Sequence, residues 1–243
     1  MNLKALREEV LEANLEIVRR GLVLYTFGNA SGFDRERGLC VIKPSGVAYE
    51  AMTQDQLVVT DLEGKIVEGA LRPSSDLPTH LALYRAFPSV SGIIHTHSRF
   101  ATAWAQAGRD IPCLGTTHAD YIRGPIPVTD PMPAEEIQSD YELNTGAAIV
   151  RRFSNLNPIE TPAVLVAGHA PFCWGPTPAD AAHTAVIVEE IAHMAFLTVS
   201  INAHAEPLPD HLRDKHFLRK HGSTAYYGQP RPETGDRRRE AEG

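Results

Sequence analysis

Three short apolar runs between residues 38 and 68 constrain the fold of this chain more than any other feature. They cover residues 38–42, 57–60 and 65–68, and Asp61-Leu-Glu-Gly64 forms a turn between the last two. Short runs of this kind, bounded by turn residues, indicate strands. Strands this closely spaced favour antiparallel pairing, because parallel strands need longer crossover connections. The sequence therefore predicts a largely antiparallel sheet.

Longer segments with helical spacing predict the elements that cover this sheet. Apolar residues recur at that spacing in segments 3–20, 76–87, 100–107, 134–153 and 178–199. Residues 90–97 and 163–166 indicate two further strands, and segment 111–132 is rich in turn residues and predicts a loop with short strands. A chain of 243 residues with 43% hydrophobic and 22% charged residues suits one globular α/β domain. We expect this domain over residues 1–228 and a polar, disordered tail over residues 229–243.

Charge and cysteine content exclude several classes of protein. The net charge of −7 argues against a nucleic-acid binder, which would show a basic patch. No run approaches eighteen consecutive apolar residues, and the N-terminus carries acids where a secretory peptide is apolar. Cys40, Cys113 and Cys173 form no C-x-x-C pair and are expected to be reduced thiols. We therefore expect a cytoplasmic protein with no nucleic-acid or membrane partner.

The segment Ile93-Ile-His-Thr-His97 carries the sharpest chemical signal. Side chains two apart on a strand point to the same face, so His95 and His97 could reach one metal ion. The alternative is that both are surface or capping residues, since H-x-H alone is a weak pattern. His80, His118 and His169 are candidates for a third ligand, and spacing does not choose among them. Two histidines on the long apolar helix, His183 and His193, are expected to pack.

Three short loops predict an anion site. Gly28-Asn-Ala-Ser-Gly32, Lys43-Pro-Ser-Gly46 and Arg72-Pro-Ser-Ser-Asp76 each combine hydroxyl groups with glycine or a cation. Backbone N–H groups, hydroxyls and a lysine are the donors that a phosphate dianion needs. For the third loop, simple capping of a helix is an equal alternative. None of the loops matches a P-loop or a dinucleotide-binding motif, so a nucleotide is not indicated.

A lone carboxylate and a pair of tyrosines are more ambiguous. Asp120 lies in a predicted loop, where it is either an acid–base residue or a solvated side chain. The residue type alone favours the solvated alternative. Tyr226 and Tyr227 would ordinarily pack near the end of the domain.

Together these segments resemble the bacterial L-ribulose-5-phosphate 4-epimerases of the class II aldolase superfamily, whose archetype is L-fuculose-phosphate aldolase. The resemblance rests on GNASG, KPSG, PSSD, HTHS, TTHADY, AGHAPF and the terminal KHFLRKHGSTAYYGQ, which occur in order from Leu3 to Gln229. The residues beyond this point depart from the family. The resemblance implies an α/β/α fold and a C4 homotetramer with active sites at subunit interfaces.

The resemblance also implies roles for individual residues. The metal site is implied to hold Zn²⁺, or another divalent ion such as Mn²⁺, through Asp76, His95, His97 and His169. The substrate phosphate is implied to bind at Gly28, Asn29, Lys43, Ser45, Gly46, Ser74 and Ser75. Asp120 and Tyr227 match an acid–base pair, with the tyrosine supplied by a neighbouring subunit, and His216 and Arg219 match residues near it.

The implied reaction is the interconversion of L-ribulose 5-phosphate and D-xylulose 5-phosphate, as in L-arabinose catabolism, by retro-aldol and aldol steps. Two other members of the superfamily are alternatives. Aldolases of the fuculose type resemble PSSE at the helix start, where this chain has Asp76. An adducin-like scaffold would lack the histidine ligands that this chain carries.

Overall fold

The computed structural model describes residues 3–222 and 225–227, and its centre is one seven-stranded sheet. The sheet has the order β4-β3-β2-β1-β5-β7-β6, and every neighbouring pair is antiparallel. The strands are β1 Asn29–Asp34, β2 Leu39–Ile42, β3 Val58–Thr60, β4 Ile66–Glu68, β5 Gly92–His95, β6 Ala163–Leu165 and β7 Pro171–Gly175. The prediction of a largely antiparallel sheet is confirmed.

Two of the strands, β1 and β7, were not predicted from the sequence. The segment interpreted as a glycine-bearing loop at residues 28–32 contributes most of β1, which is buried along its whole length. Gly32 in this strand has no room for a side chain, because a Cβ atom would lie 2.7 Å from Leu6 Cδ1 and 2.9 Å from Pro178 Cγ. The small residues that suggested a loop are therefore required for close packing under helices.

Eight α-helices occur in the described part of the chain. They are α1 Leu3–Arg19, α2 Leu77–Ala86, α3 Arg99–Gln106, α4 Thr116–Ala119, α5 Ala134–Gln138, α6 Tyr141–Arg152, α7 Pro178–Ile201 and α8 Asp210–His221. The single helix predicted at residues 134–153 is two helices, since Ser139 has φ −96° and ψ −121°, outside the helical region. The short α4 and the C-terminal α8 were not predicted.

The helices cover both faces of the sheet. Neighbouring residues of β5 show the division, because Ile93 packs in a cluster with α2 and α6, whereas Ile94 packs in a cluster with α1 and α7. Alternate side chains of a strand point to opposite faces, so two cores form. The α/β/α arrangement follows, and β5 stays buried up to its last residue, His95.

The long helix α7 spans 24 residues and contains an 18-residue stretch with a mean hydropathy of 1.5. Among the described residues it is the one helix whose length and apolarity would suffice to cross a membrane. In this fold its alanine-rich face is buried against α1, β5 and β7. Phe196, Leu197 and Ile201, near its C-terminal end, remain exposed.

Candidate active site

Three histidines converge where β5 ends and where β6 turns into β7. His95 is the last residue of β5, and His97 lies two residues beyond the end of the strand rather than on it. His169 lies in the turn before β7, directly after Gly168, which adopts φ 70°. The three side chains nevertheless meet.

The ring nitrogens of these histidines have the spacing of metal ligands. The Nε2 atom of His97 lies 3.1 Å from that of His95 and 3.2 Å from that of His169. One nitrogen from each ring lies within 4.8 Å of the others. Ligands at about 2.0–2.1 Å in a tetrahedron around zinc are about 3.3 Å apart. The three imidazoles therefore fit a metal ion and leave a fourth position free.

The remaining ring nitrogens hold two of the imidazoles in place. His95 Nδ1 donates to the carbonyl oxygen of Pro171 at 3.0 Å, and His169 Nδ1 lies 3.0 Å from Tyr141 Oη. Burial lowers the pKa of His95 to about 3, and it also lowers the pKa values of His97 and His169. The rings are therefore neutral near pH 7, as metal coordination requires.

The other two histidines that spacing left open do not join this group. His80 is fully buried on α2, with Nδ1 2.6 Å from Ser31 Oγ, and burial lowers its pKa to about 4. His118 is buried on α4 and lines a separate small pocket. The structure therefore selects His169 from the three candidates.

Asp76 lies in the same cavity as the histidines but is not part of the three-imidazole group. Its backbone is the N-cap of α2, yet its side chain makes no capping hydrogen bond. Instead, Oδ2 accepts a hydrogen bond of 2.6 Å from the Asn29 amide. Burial raises the pKa of Asp76, but attraction to His95 and His80 and this hydrogen bond outweigh burial, so its pKa lies below the ordinary value. Its role as a metal ligand stays a prediction.

One cavity of about 430 Å³ brings the three predicted anion loops next to the histidines. A bridge between Pro44 and Pro73 places the second and third loops side by side. All the residues that the resemblance assigned to phosphate or metal line this cavity, namely Gly28, Asn29, Lys43, Ser45, Gly46, Ser74, Ser75, Asp76, His95, His97 and His169. The chain therefore collects cationic, hydroxyl and imidazole groups around one volume.

Lys43 is the group in this cavity most suited to an anion. It is 2% exposed, its ammonium lies 4.8 Å from the centroid of the Tyr49 ring, and burial lowers its pKa. No carboxylate of the described residues forms an ion pair with it, and its one hydrogen bond there goes to the Pro44 carbonyl at 3.3 Å. A buried, unpaired cation is costly, and a bound dianion would remove that cost.

Asn29 has a different position from the one expected of a phosphate donor. Its amide nitrogen donates to Ser74 Oγ at 3.0 Å and to Asp76 Oδ2 at 2.6 Å, which uses both N–H groups. The side chain therefore holds a serine of one loop and the carboxylate in fixed positions.

Asp120 and Tyr227 lie together, away from this cavity. Asp120 follows α4, and its carboxylate accepts hydrogen bonds from His216 and Arg219 on α8. The Arg219 guanidinium carbon lies 4.9 Å from the centroid of the Tyr227 ring. Neither Asp120 nor Tyr227 lines the histidine cavity of its own chain, as far as the described residues extend. Within one chain the two residues lie at one corner, and the expectation that a site takes its tyrosine from a neighbouring subunit stays a prediction.

Four residues of the cavity were missed by the sequence analysis: Thr26, Phe27, Tyr141 and Glu142. Tyr141 and Glu142 fell inside a segment predicted as one continuous helix, and only the break at Ser139 exposes them to the cavity. Glu189 on α7 was also missed. Its carboxylate accepts hydrogen bonds from the backbone N–H groups of Phe100 and Ala101, at 2.9 and 3.0 Å, and so caps α3 just after His97.

Comparisons with known proteins agree with this geometry. The family model "Class II Aldolase and Adducin N-terminal domain" matches residues 8–196. Curated proteins from Salmonella paratyphi B and Salmonella typhi, named "L-ribulose-5-phosphate 4-epimerase UlaF", are 55% identical over 227 residues, which cover 93% of this chain and all of each relative.

Solved structures give the same fold. An L-fuculose 1-phosphate aldolase is 26% identical with a TM-score of 0.74, covering 87% of this chain and 94% of its own. The protein YgbL from Klebsiella pneumoniae is 24% identical with a TM-score of 0.70, covering 88% and 99% respectively, and this likeness concerns the fold alone.

Proposed function

The chain belongs to the class II aldolase and adducin family, and we propose that it is an epimerase that interconverts L-ribulose 5-phosphate and D-xylulose 5-phosphate. The observation that carries the proposal is the 55% identity to epimerases over their whole length. The cavity supports it, because a buried unpaired lysine and three convergent imidazoles suit a phosphorylated substrate and a metal ion.

The chemistry of the substrate explains why such a cavity is needed. The hydrogen on C4 lies β to the C2 carbonyl and is not acidic, so direct deprotonation cannot easily invert this centre. Cleavage of the C3–C4 bond avoids the problem. It yields glycolaldehyde phosphate and the enediolate of dihydroxyacetone, and rotation of the aldehyde before the bond re-forms inverts C4.

The residues present fit a divalent ion, and we assign it to His95, His97 and His169, with Asp76 as a further ligand. Zn²⁺ is the ion we propose, because the donors are neutral imidazoles in a tetrahedral arrangement. When bound, the ion would supply Lewis-acid stabilisation of negative charge on the substrate oxygens. The protein's part is to hold the rings rigidly, through the Pro171 carbonyl for His95 and the Tyr141 hydroxyl for His169.

Phosphate binding falls to the loops opposite the histidines. We assign it to Lys43 and to the loop residues Gly28, Ser45, Gly46, Ser74 and Ser75. A phosphate held there would keep the aldehyde fragment in the cavity while it turns, since C4 and C5 remain attached to it. Asn29 would act on the phosphate through Ser74, whose hydroxyl it fixes.

The acid–base groups are proposed to come from a neighbouring subunit. Among the described residues, Asp120 and Tyr227 lie together and do not line the cavity of their own chain, which supports their presentation by a second copy. Burial raises the pKa of Asp120, but the hydrogen bonds from Arg219 and His216 outweigh burial and leave its pKa below the ordinary value. Asp120 is therefore ionised near neutral pH, and we assign it to accept the proton of the C4 hydroxyl on one face of the substrate, with Tyr227 as the donor on the other face.

We propose a homotetramer in the cytoplasm as the form that supplies this second copy. Large apolar side chains are exposed beside the cavity, at Tyr25 and Phe27, and near the end of α7, at Phe196 and Ile201. Exposed apolar groups of this size suit contacts between subunits. L-Arabinose and ascorbate catabolism both converge on this substrate.

An assay of the metal-loaded protein with L-ribulose 5-phosphate tests the proposal. Nuclear magnetic resonance should show D-xylulose 5-phosphate accumulating to equilibrium without free fragments. Net release of glycolaldehyde phosphate would instead identify an aldolase, which the structural likeness to L-fuculose 1-phosphate aldolase makes the second candidate. His97→Asn should abolish turnover, whereas His183→Asn, on the outer side of α7, should not.

A further inference from the structure

The hydroxyl of Tyr141 forms a hydrogen bond with His169, through the ring nitrogen that faces away from the other two histidines. We propose that Tyr141 is a positioning residue, which fixes the ring orientation of His169 for metal binding. The inference rests on the metal-binding role proposed above for the three imidazoles. It concerns a residue that does not itself supply a ligand atom.

The contact between the two side chains has the geometry that this role requires. Tyr141 Oη lies 3.0 Å from His169 Nδ1, while His169 Nε2 faces the His97 ring at 3.2 Å. The two rings lie nearly parallel, with an interplanar angle of 19° and centroids 6.2 Å apart. When Nδ1 carries the proton and donates to the hydroxyl, the lone pair of Nε2 is directed into the site.

His169 depends on this contact more than His95 depends on its own. The partner of His95 is the backbone carbonyl of Pro171, which can only accept, so the tautomer of His95 is fixed by the fold. His95 is also buried and stacks on Phe172, at 4.3 Å between centroids. His169 is only half-buried and lies in a turn, and its Nδ1 is held by a side-chain hydroxyl.

The position of Tyr141 is itself set by the fold. It is the first residue of α6, immediately after the break at Ser139 and Asp140, and Thr145 Oγ1 donates to its carbonyl at 2.9 Å. Helix α6 lies very close to α2, since a Cβ atom on Gly146 would lie 2.6 Å from Ala82 Cβ. The backbone of Tyr141 is therefore held by the packing of α6 against α2, the helix that begins just after Asp76.

Replacing Tyr141 with phenylalanine tests the assignment, because it removes the hydroxyl and keeps the ring. Mutating the hydrogen-bond partner of a metal-binding histidine typically lowers the affinity for the metal by about 10- to 100-fold. We expect a loss of this size for Zn²⁺, measured by competition with a chromophoric chelator, and an altered Co²⁺ absorption spectrum. Tyr121→Phe, which does not touch the cavity, is the control and should bind both ions as the unmodified protein does.

A second measurement detects the hydrogen bond itself in the unmodified protein. In the Zn²⁺-loaded unmodified protein, the His169 Nδ1 proton should give a slowly exchanging resonance in ¹⁵N-edited spectra, and this resonance should be absent in Tyr141→Phe. Unchanged Zn²⁺ affinity and Co²⁺ spectrum in the variant would overturn the proposal. An Nδ1 proton that exchanges with solvent equally fast in both proteins would do the same. Loss of metal by the unmodified protein would instead refute the metal site itself.

Discussion

Arg219 binds the carboxylate of Asp120 in a bidentate manner, through two hydrogen bonds. Nε donates to Oδ1 at 3.0 Å, and Nη2 donates to Oδ2 at 2.7 Å. The same guanidinium lies over the ring of Tyr227. The two proposed proton carriers of one chain therefore lie together, and under our proposal a functional site combines them with the histidines of a different chain.

Mixing inactive variants should show this division of the site. His97→Asn and Asp120→Asn should each have little activity, because each lacks one half of every site. In mixed rings formed at random from equal amounts, an intact histidine half meets an intact acid–base half in about a quarter of the sites. Unfolding the two variants together and refolding them should therefore restore about a quarter of the normal activity.

A second mixture is the control for this prediction. Asp120→Asn mixed with Tyr227→Phe should recover nothing, because both lesions affect the same unit and every site keeps one of them. Recovery in this mixture would mean that Asp120 and Tyr227 serve a site from different chains. Activity in neither mixture, from tetramers shown to have reassembled, would argue against a shared site.

Because Arg219 lowers the pKa of Asp120, replacing Arg219 should shift the pH dependence of turnover. A carboxylate acts as a base above its pKa, so the activity falls as the pH drops through that value. Arg219→Met removes the donors that hold the pKa of Asp120 down, so the pKa should rise. The acidic limb of kcat/KM should then move to higher pH. Arg213→Met, on the same helix and paired with Asp210 and Asp214, should leave the limb unchanged.

Gly28 is expected to be essential to the histidine cavity for a steric reason. A Cβ atom at this position would lie 2.6 Å from the carbonyl oxygen of His95, and its φ of 74° is in the left-handed region. Gly38 has a similar φ of 67° but nothing within 4 Å of the added atom. Gly28→Ala should displace the end of β5 and lower kcat/KM and metal affinity by at least about tenfold.

Gly38→Ala provides the matched control. It should cost about 1–2 kcal/mol in stability through backbone strain alone, measured by urea unfolding, and leave the Zn²⁺ affinity unaltered. Equal effects of both variants on metal binding would show that strain, and not the contact with His95, is responsible.

Lys43 should matter only for phosphorylated substrates. Charge-assisted hydrogen bonds contribute about 1.5–3 kcal/mol, so Lys43→Met should raise KM for L-ribulose 5-phosphate by about 10- to 100-fold. The activity on unphosphorylated L-ribulose, although low, should not change. Lys65→Met, in the exposed turn before β4, is the control. A proportional loss with both substrates would place Lys43 outside the phosphate site.

The sequence predicted those parts of the fold that local patterns determine. Antiparallel pairing followed from the short connections between strands, and α1 and α7 followed from their helical spacing. β1 was not predicted, because its Gly and Ser residues are selected for close packing under α1 and α7 rather than for strand propensity. The break before Tyr141 was not predicted, although Ser139 and Asp140 are residue types that commonly precede a helix.

In the site, too, local patterns predicted some features, whereas others depend on tertiary packing. The residues to which the resemblance gave metal and phosphate roles all line one volume, and those roles stay predictions. Spacing alone left His80, His118 and His169 equivalent, because the turn that directs His169 inward depends on the pairing of β6 with β7. The role of Asn29 as a holder of Ser74 and Asp76 was not predictable, because these residues meet only across the folded sheet. The C-terminal segment, with its predicted disorder, lies outside the described residues.

The most direct test of the account is the fate of the C4 hydrogen when L-ribulose 5-phosphate labelled with ¹³C at C3 and C4 is converted in D₂O. Cleavage and re-formation of the C3–C4 bond leave the C4 hydrogen in place throughout. The account predicts D-xylulose 5-phosphate that retains ¹H at C4 and the coupling between its two labelled carbons. Deuterium at C4 would show that the enzyme removes that hydrogen, and would contradict the central claim of cleavage in the histidine cavity.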